Sequence, residues 1–157
     1  MPFTIGIDLG GSRIKAALLS ETGKLVHRQM KTVATREDYG SILAQLAAVT
    51  DELTHATDGT PDGIGLGVAG LMDKHRRTVL ASPNITALNG KSPAADLAER
   101  SGLRTVMDND ANLMAIGEGA FGAAKGCAHF IAITPVSYTH LRAHETSLHL
   151  VCRLLLE

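Results

Sequence analysis

Ile5-Gly-Ile-Asp-Leu-Gly-Gly-Ser-Arg-Ile-Lys15 decides how the rest of the chain is read. Phe3 to Leu9 is an apolar run with one acid, Asp8. After Gly10 and Gly11 a second alternating run starts at Arg13. That order is strand, tight glycine turn, strand. Adjacent glycines let backbone N–H groups face one way and let a bulky anion approach. Ser12 adds a hydroxyl donor, and Arg13 and Lys15 add positive charge. Asp8 would repel a phosphate unless a divalent cation sat between them. The stretch reads as a hairpin for a metal–nucleotide phosphate or as an ordinary hairpin with a Gly-Gly turn, and the local residues leave both open.

Working outward, Arg13 to Leu19 reads as strand two, Glu21-Thr-Gly23 as a turn and Lys24 to Val33 as strand three. The chain thus opens with a meander. Thr35 is the expected N-cap of a helix, with Glu37 and Asp38 in its first turn. Ile42, Leu43, Leu46, Ala47, Val49 and Leu53 recur at helical spacing, and the helix should end near His55 to Gly59. Gly63 to Ala69 is a short apolar run with the look of a buried parallel strand. Thr78 to Ala81 is a short strand, and Ser92 caps a helix that has Pro93 at its first position, reaches about Arg100 and ends at Ser101-Gly102. Arg104 to Met107 is a strand, Asp110 to about Gly122 a helix, and Ala128 to Thr134 a strand again. Strands alternating with helices after a meander predict an α/β lobe with a mixed sheet flanked by helices.

Composition agrees. The 157 residues suffice for one domain with a core, and 45% hydrophobic against 20% charged residues is the balance of a soluble α/β domain. A formal net charge of -1 without a basic cluster argues against nucleic acid as a partner. Asp8, Arg13 and Lys15 rule out a signal peptide or membrane span at the start, so a cytoplasmic location without a membrane partner is expected. Cys127 and Cys152 form neither a disulfide framework nor a metal spacing.

The pattern breaks at Pro135. All 16 glycines precede it. Residues 135–157 carry His140, His144 and His149 but neither helical nor strand period up to Thr146. This segment reads as foreign or disordered and resembles a translated sequencing adapter, so its histidines are not taken as ligands. The expected organisation is a lobe over residues 1–134 and a tail over residues 135–157.

Val106-Met-Asp-Asn-Asp-Ala-Asn112 lies between a strand end and a helix start, where α/β sheets place their sites. Asp108, Asn109, Asp110 and Asn112 exceed what one N-cap requires. Asn109 can donate to and accept from sugar hydroxyls, and Asp110 could take a proton from one. A capped helix with an acid favouring its dipole is the plainer reading. Ser82-Pro-Asn84 is a loop that contacts a polyol or simply turns the chain. Gly65-Leu-Gly-Val-Ala-Gly70 and Gly117-Glu-Gly-Ala-Phe-Gly122 both match G-x-G-x-x-G, but neither stands between a strand and an apolar helix, and both read as accidents of glycine content. The chain has no G-x-x-x-x-G-K-[ST].

Taken together, Ile5–Lys15, Gly65–Gly70, Ser82–Asn84 and Asp108–Glu118, in this order and spacing, resemble the ROK family of sugar kinases, bacterial glucokinases in particular. The resemblance covers about residues 3–134. It implies the N-terminal lobe of an actin-like, ribonuclease H-like ATPase fold, with ATP and Mg2+ bound between two lobes. It implies that Asp8 binds the metal through water and that Gly10, Gly11 and Ser12 wrap the terminal phosphates. Asn84 and Asn109, with backbone near Gly70, would hold sugar hydroxyls. Asp110 would be the general base, a division of labour that suits phosphoryl transfer.

Ser12 and Arg13 stand where the family usually has Thr and Lys. After Thr134 the family continues with a Gly-Thr-Gly phosphate loop, whereas this chain has Pro135-Val-Ser137. The second lobe, with its adenosine pocket and zinc motif, is expected to be missing. A truncated fragment is therefore expected, inactive alone, without the family's zinc, and with one sheet face and the Asp110 helix exposed enough to make it marginally stable and prone to aggregate. The intact parent would be a homo-oligomer phosphorylating a hexose, glucose first. Two alternatives stay open. A sugar-responsive ROK regulator would carry a helix-turn-helix ahead of the first strand, and a strand starting at about Phe3 leaves no room for it. A dinucleotide-binding module built on Gly65–Gly70 would start a helix near Gly70.

Overall fold

The computed structural model describes residues 2–34 and 38–133. These fall into two compact units, one reaching Asp110 and the other starting at Ala111. In the first, β1 (Phe3–Leu9), β2 (Arg13–Ser20) and β3 (Leu25–Thr32) form the expected meander. Helix α1 (Tyr39–His55), strand β4 (Ile64–Val68), and the short strands β5 (Leu71–Met72) and β6 (Val79–Ala81) follow. A 3-10 turn at Thr86–Leu88, α2 (Pro93–Ser101) and β7 (Thr105–Asn109) complete the order, and α3 (Asp110–Phe121) starts directly on β7. The five-stranded sheet has the order β3-β2-β1-β4-β7, while β5 and β6 pair as a separate hairpin. β2 runs antiparallel to β1 and β3, and β4 runs parallel to β1 and β7. The sheet is mixed, as expected.

Period-two alternation sorts the residues. Ile5, Ile7 and Leu9 align with Leu18, Ala16 and Ile14 on one side and with Ile64, Leu66 and Val68 on the other. All nine are buried. α1 and α2 pack on this face, α1 against β2 and β3 and α2 against β7, and touch each other. Ile42, Leu46, Val49, Leu53 and Leu97 supply their side of the core. The opposite face carries Thr4, Gly6, Asp8, Ala17, Gly65, Gly67, Val106 and Asp108 by the same register. β4 is therefore apolar on one side and glycine on the other, rather than lined with apolar side chains on both.

Several local expectations change. The N-cap of α1 is Asp38, whose carboxylate accepts from the Gly40 and Ser41 backbone N–H groups. The Ser41 hydroxyl and these two amides hold the Asp38 carboxyl below its ordinary range. The expected cap, Thr35, and Glu37 lie outside the described residues. Ser92 occupies the N-cap of α2 but makes no capping bond with its side chain, which instead lies 3.4 Å from the Thr78 hydroxyl. Gly102, at φ 70°, ends that helix. Ala128 to Ile133 is not a strand. A strand needs a neighbour's ladder for its N–H and C=O groups, and α3 is the regular element that the described part of its unit offers. Thr134 and the expected tail at residues 135–157 lie outside the described residues. Among the described residues, no helix is long and apolar enough to cross a membrane.

Candidate functional site

Parallel strands β1, β4 and β7 bring their C-terminal ends to one edge of the sheet. Asp8 aligns with Gly67, and Gly67 with Asp108. The two carboxylates therefore stand on the same face, two strands and about 10 Å apart at Cα, with a glycine between them. Asp110 comes two residues after Asp108, at the first position of α3, where an acid suits the helix dipole. Asp8 pairs with Lys15, directly opposite on β2, at 3.2 Å. Both side chains are well exposed, so the pair is weak and easily exchanged for another partner.

The turn after β1 is closed by Gly10 N–H donating to the Arg13 carbonyl at 3.0 Å. Neither Gly10 nor Gly11 has a positive φ. Their value is close approach: a Cβ on Gly11 would lie 2.9 Å from the Asn84 Cβ. The glycine turn and the Ser82–Asn84 loop thus meet at Gly11, and Ser12 sits exposed at the turn's tip. The loop is itself held. Buried Ser82 donates its hydroxyl to the Ala69 carbonyl at 2.7 Å and accepts from Ile85 N–H. The Ser82 N–H donates to Asn89 Oδ1 at 2.7 Å. Ser82 is thus a structural anchor that leaves Asn84 exposed at the front. Gly70 packs so tightly on this loop that a Cβ would come within 2.6 Å of the Ala81 carbonyl oxygen.

Asn109 joins the remaining strand to the same place. Its Nδ2 donates to the Gly70 carbonyl at 3.1 Å. Its backbone N–H donates to Asp108 Oδ1 at 2.7 Å. The other Asp108 oxygen lies 3.0 Å from Arg76 Nε. Arg76 sits in the turn between β5 and β6, which Asp73 organises by accepting from the backbone N–H groups of His75, Arg77 and Thr78. Those bonds, Thr78 and Arg77 foremost, hold the Asp73 carboxyl below its ordinary range.

Asp8, Gly10, Gly11, Ser12, Gly70, Asn84, Asn109 and Asp110 all lie in the unit that reaches Asp110, whereas Asn112 belongs to the other. Gly11 and Asn84 meet; Gly70 and Asn109 are hydrogen-bonded; Asp8 and Asp108 share a row; Asp110 is next to Asn109 in the chain. Arg76, Asp73 and Asn89 were missed. Asp73 was legible as an acid followed by a turn whose amides it can bind. Arg76 and Asn89 carry no local signal. The turn also gathers exposed Lys74, His75, Arg76 and Arg77, a local basic patch where composition gave no basic cluster. The residues after Gly70 form strand β5, not a helix, which removes the dinucleotide-binding alternative. Among the described residues no three His, Cys, Asp or Glu side chains form a metal cluster. A lone exposed carboxylate such as Asp8 fits Mg2+ of the kind that takes one protein oxygen and completes its shell with phosphate and water.

The ROK family model matches residues 4–136. The chain is 34% identical over 140 residues to a glucokinase of Streptomyces coelicolor, covering 85% of this chain and 41% of that protein. It is 32% identical over 122 residues to a xylose repressor of Caldicellulosiruptor bescii, covering 75% of this chain and 30% of the repressor. A crystal structure of a ROK family glucokinase from Streptomyces griseus in complex with glucose and AMPPNP superposes with a TM-score of 0.72 at 32% identity, covering 79% of this chain and 38% of that one. The chain spans about two fifths of the length of the glucokinases it matches.

Proposed function

This chain belongs to the ROK family and has the architecture of its actin-like, ribonuclease H-like ATPase fold, and on that premise we propose that it forms the N-terminal lobe of an ATP-dependent hexose kinase, with glucose the first substrate to test. The carrying observation is the meeting of the Gly10–Ser12 turn, the Asn84 loop, Gly70 and Asn109 at the edge where β1, β4 and β7 end. In this reading the Gly10–Ser12 turn, closed by Gly10 N–H on the Arg13 carbonyl, turns its Gly11 and Ser12 side to the transferred phosphates. Asn84, Asn109 and the backbone at Gly70 orient the sugar. Asp110 accepts the proton of the attacking hydroxyl. Mg2+ at Asp8, when bound with the nucleotide, offsets the phosphate charge. Positioning and charge neutralisation are the main demands of phosphoryl transfer.

The adenosine pocket would come from the part of the relatives beyond this match; we read residues 135–157 as foreign to the domain and these 157 residues by themselves as inactive. The xylose repressor match supports a second reading, a sugar-binding regulator with the same lobe. A hybrid separates them: residues 1–133 joined to the C-terminal part of the S. coelicolor glucokinase, assayed for ADP release with glucose. Glucose-dependent ADP that falls by about 100-fold or more in Asp110→Asn supports the kinase. A hybrid that binds glucose and releases no ADP turns the reading to the regulator.

A further inference from the structure

Arg76 is the one non-glycine residue with a positive φ among the described residues, at 55°. The left-handed region crowds a Cβ, and glycine or asparagine is its ordinary occupant. A long cationic side chain kept there points to a task for the side chain. The turn does not need it. Asp73 binds three backbone amides of the turn, and Asp73 N–H donates to the Thr78 carbonyl at 3.0 Å.

The guanidinium is spent on Asp108. The Arg76 side chain is 62% exposed, whereas that of Asp108 is 8% exposed, and the two meet at 3.0 Å. Asp108 in turn accepts from the Asn109 backbone, and the Asn109 side chain donates to the Gly70 carbonyl. Gly70 immediately precedes β5, the strand that leads to Arg76. The β5–β6 hairpin therefore grips the end of β7 twice, at its base through the Gly70 carbonyl and at its tip through the Arg76 guanidinium. Added to the pairing of Asn109 with Val68 in the sheet, a grip at two points limits both the height and the rotation of Asn109.

We propose that Arg76 is a positioning residue, acting through Asp108 to set the Asn109 amide at the edge assigned to the sugar. What Asn109 is held for rests on the sugar-kinase reading; that it is held does not.

The test uses the full 157-residue chain by NMR, with Arg76→Gly, Arg76→Lys and Arg77→Ala. Glycine removes the guanidinium, which destabilises, and also relieves the left-handed backbone, which stabilises, so the readout is local to Asn109 rather than the melting temperature. Exchange protection of the Asn109 backbone N–H should fall about fivefold in Arg76→Gly, the size of one ion pair, and its Nδ2 resonances should shift. Arg76→Lys should restore most of both, and Arg77→Ala should change neither. D-Glucose should shift the Asn109 Nδ2 resonances of the unsubstituted chain, and less so in Arg76→Gly. The proposal is overturned if Asn109 is unchanged in Arg76→Gly, if Arg77→Ala loosens it equally, or if Leu66 and Met107 lose protection to the same degree. Glucose that leaves Asn109 unmoved in the unsubstituted chain, while Arg76→Gly still loosens it, counts against the sugar reading and supports the positioning.

Discussion

At the scale of single residues, glycines separate into those the fold needs and those it tolerates. A Cβ on Gly65 would meet nothing within 4 Å, and its φ is not positive. Gly65→Ala should therefore stabilise β4 by about 0.5–1 kcal/mol through the unfolded state. Gly70→Ala should do the reverse. Its Cβ would lie 2.6 Å from a backbone oxygen that cannot swing aside, and overpacking of this kind costs about 1–3 kcal/mol. Paired thermal melts check both; equal shifts would show that the Gly70 loop yields freely. Both glycines belong to the same G-x-G-x-x-G match, so the motif has no common purpose across its length. Only the neighbour of each residue in space tells which one matters.

At the scale of elements, the β5–β6 hairpin has a pH dependence that follows from Asp73. Its carboxyl is held below the ordinary range by the Thr78, Arg77 and His75 backbone bonds. A folded-state value below the unfolded one means the stabilisation is present in full above the unfolded pKa of about 3.9. It fades as the pH falls through the folded value. The Thr78 amide shift, followed by NMR, should stay flat from pH 7 to about pH 4 and move only below the ordinary aspartate midpoint. A midpoint at or above that of an unstructured aspartate would contradict the geometry. α1 shows a related point about caps. The helical period was legible from Ile42 to Leu53, yet its start depends on which acid finds the first-turn amides. That acid is Asp38, three positions beyond the expected Thr35, because it can reach Gly40 and Ser41.

At the scale of the whole molecule, stability is expected to be uneven. Strands β1 and β4 carry fully buried Ile5, Leu9, Leu66 and Val68, whereas α3 buries none of its residues and contains Gly117 and Gly119. A 12-residue helix without a buried face is marginal in water. Hydrogen exchange should leave β1 and β4 protected to the level of global unfolding and find α3 close to unprotected. Strong protection in α3 would show that it is covered in solution. Met114, Ile116 and Phe121 on this helix are exposed, and so is Val106 on the glycine-bearing face of the sheet. They are among the places from which self-association would start, with Leu71 and Met30 equally exposed elsewhere. These 157 residues by themselves should give no ATP-dependent phosphorylation of glucose in a coupled assay; turnover removed by Asp110→Ala would refute that and credit them with catalysis.

The sequence by itself determined the meander, the buried strand within residues 63–69, the strand near Thr105 and, among the described residues, the helices α1, α2 and α3. Period two and period 3.6 are local properties of residues such as Ile5-Ile7-Leu9 and Ile42-Leu46-Val49. It also marked Asp8, Gly10, Gly11, Asn84, Asn109 and Asp110 as chemically apt. Only the tertiary structure decided which of these residues stand together: Asn84 against Gly11, Asn109 on the Gly70 carbonyl, Asp8 one glycine away from Asp108. Those contacts join residues dozens of positions apart, and strand register, which no short window contains, sets them. The same reason hid Arg76. Its importance lies in a buried carboxylate 32 positions away, on the far side of a crossover helix.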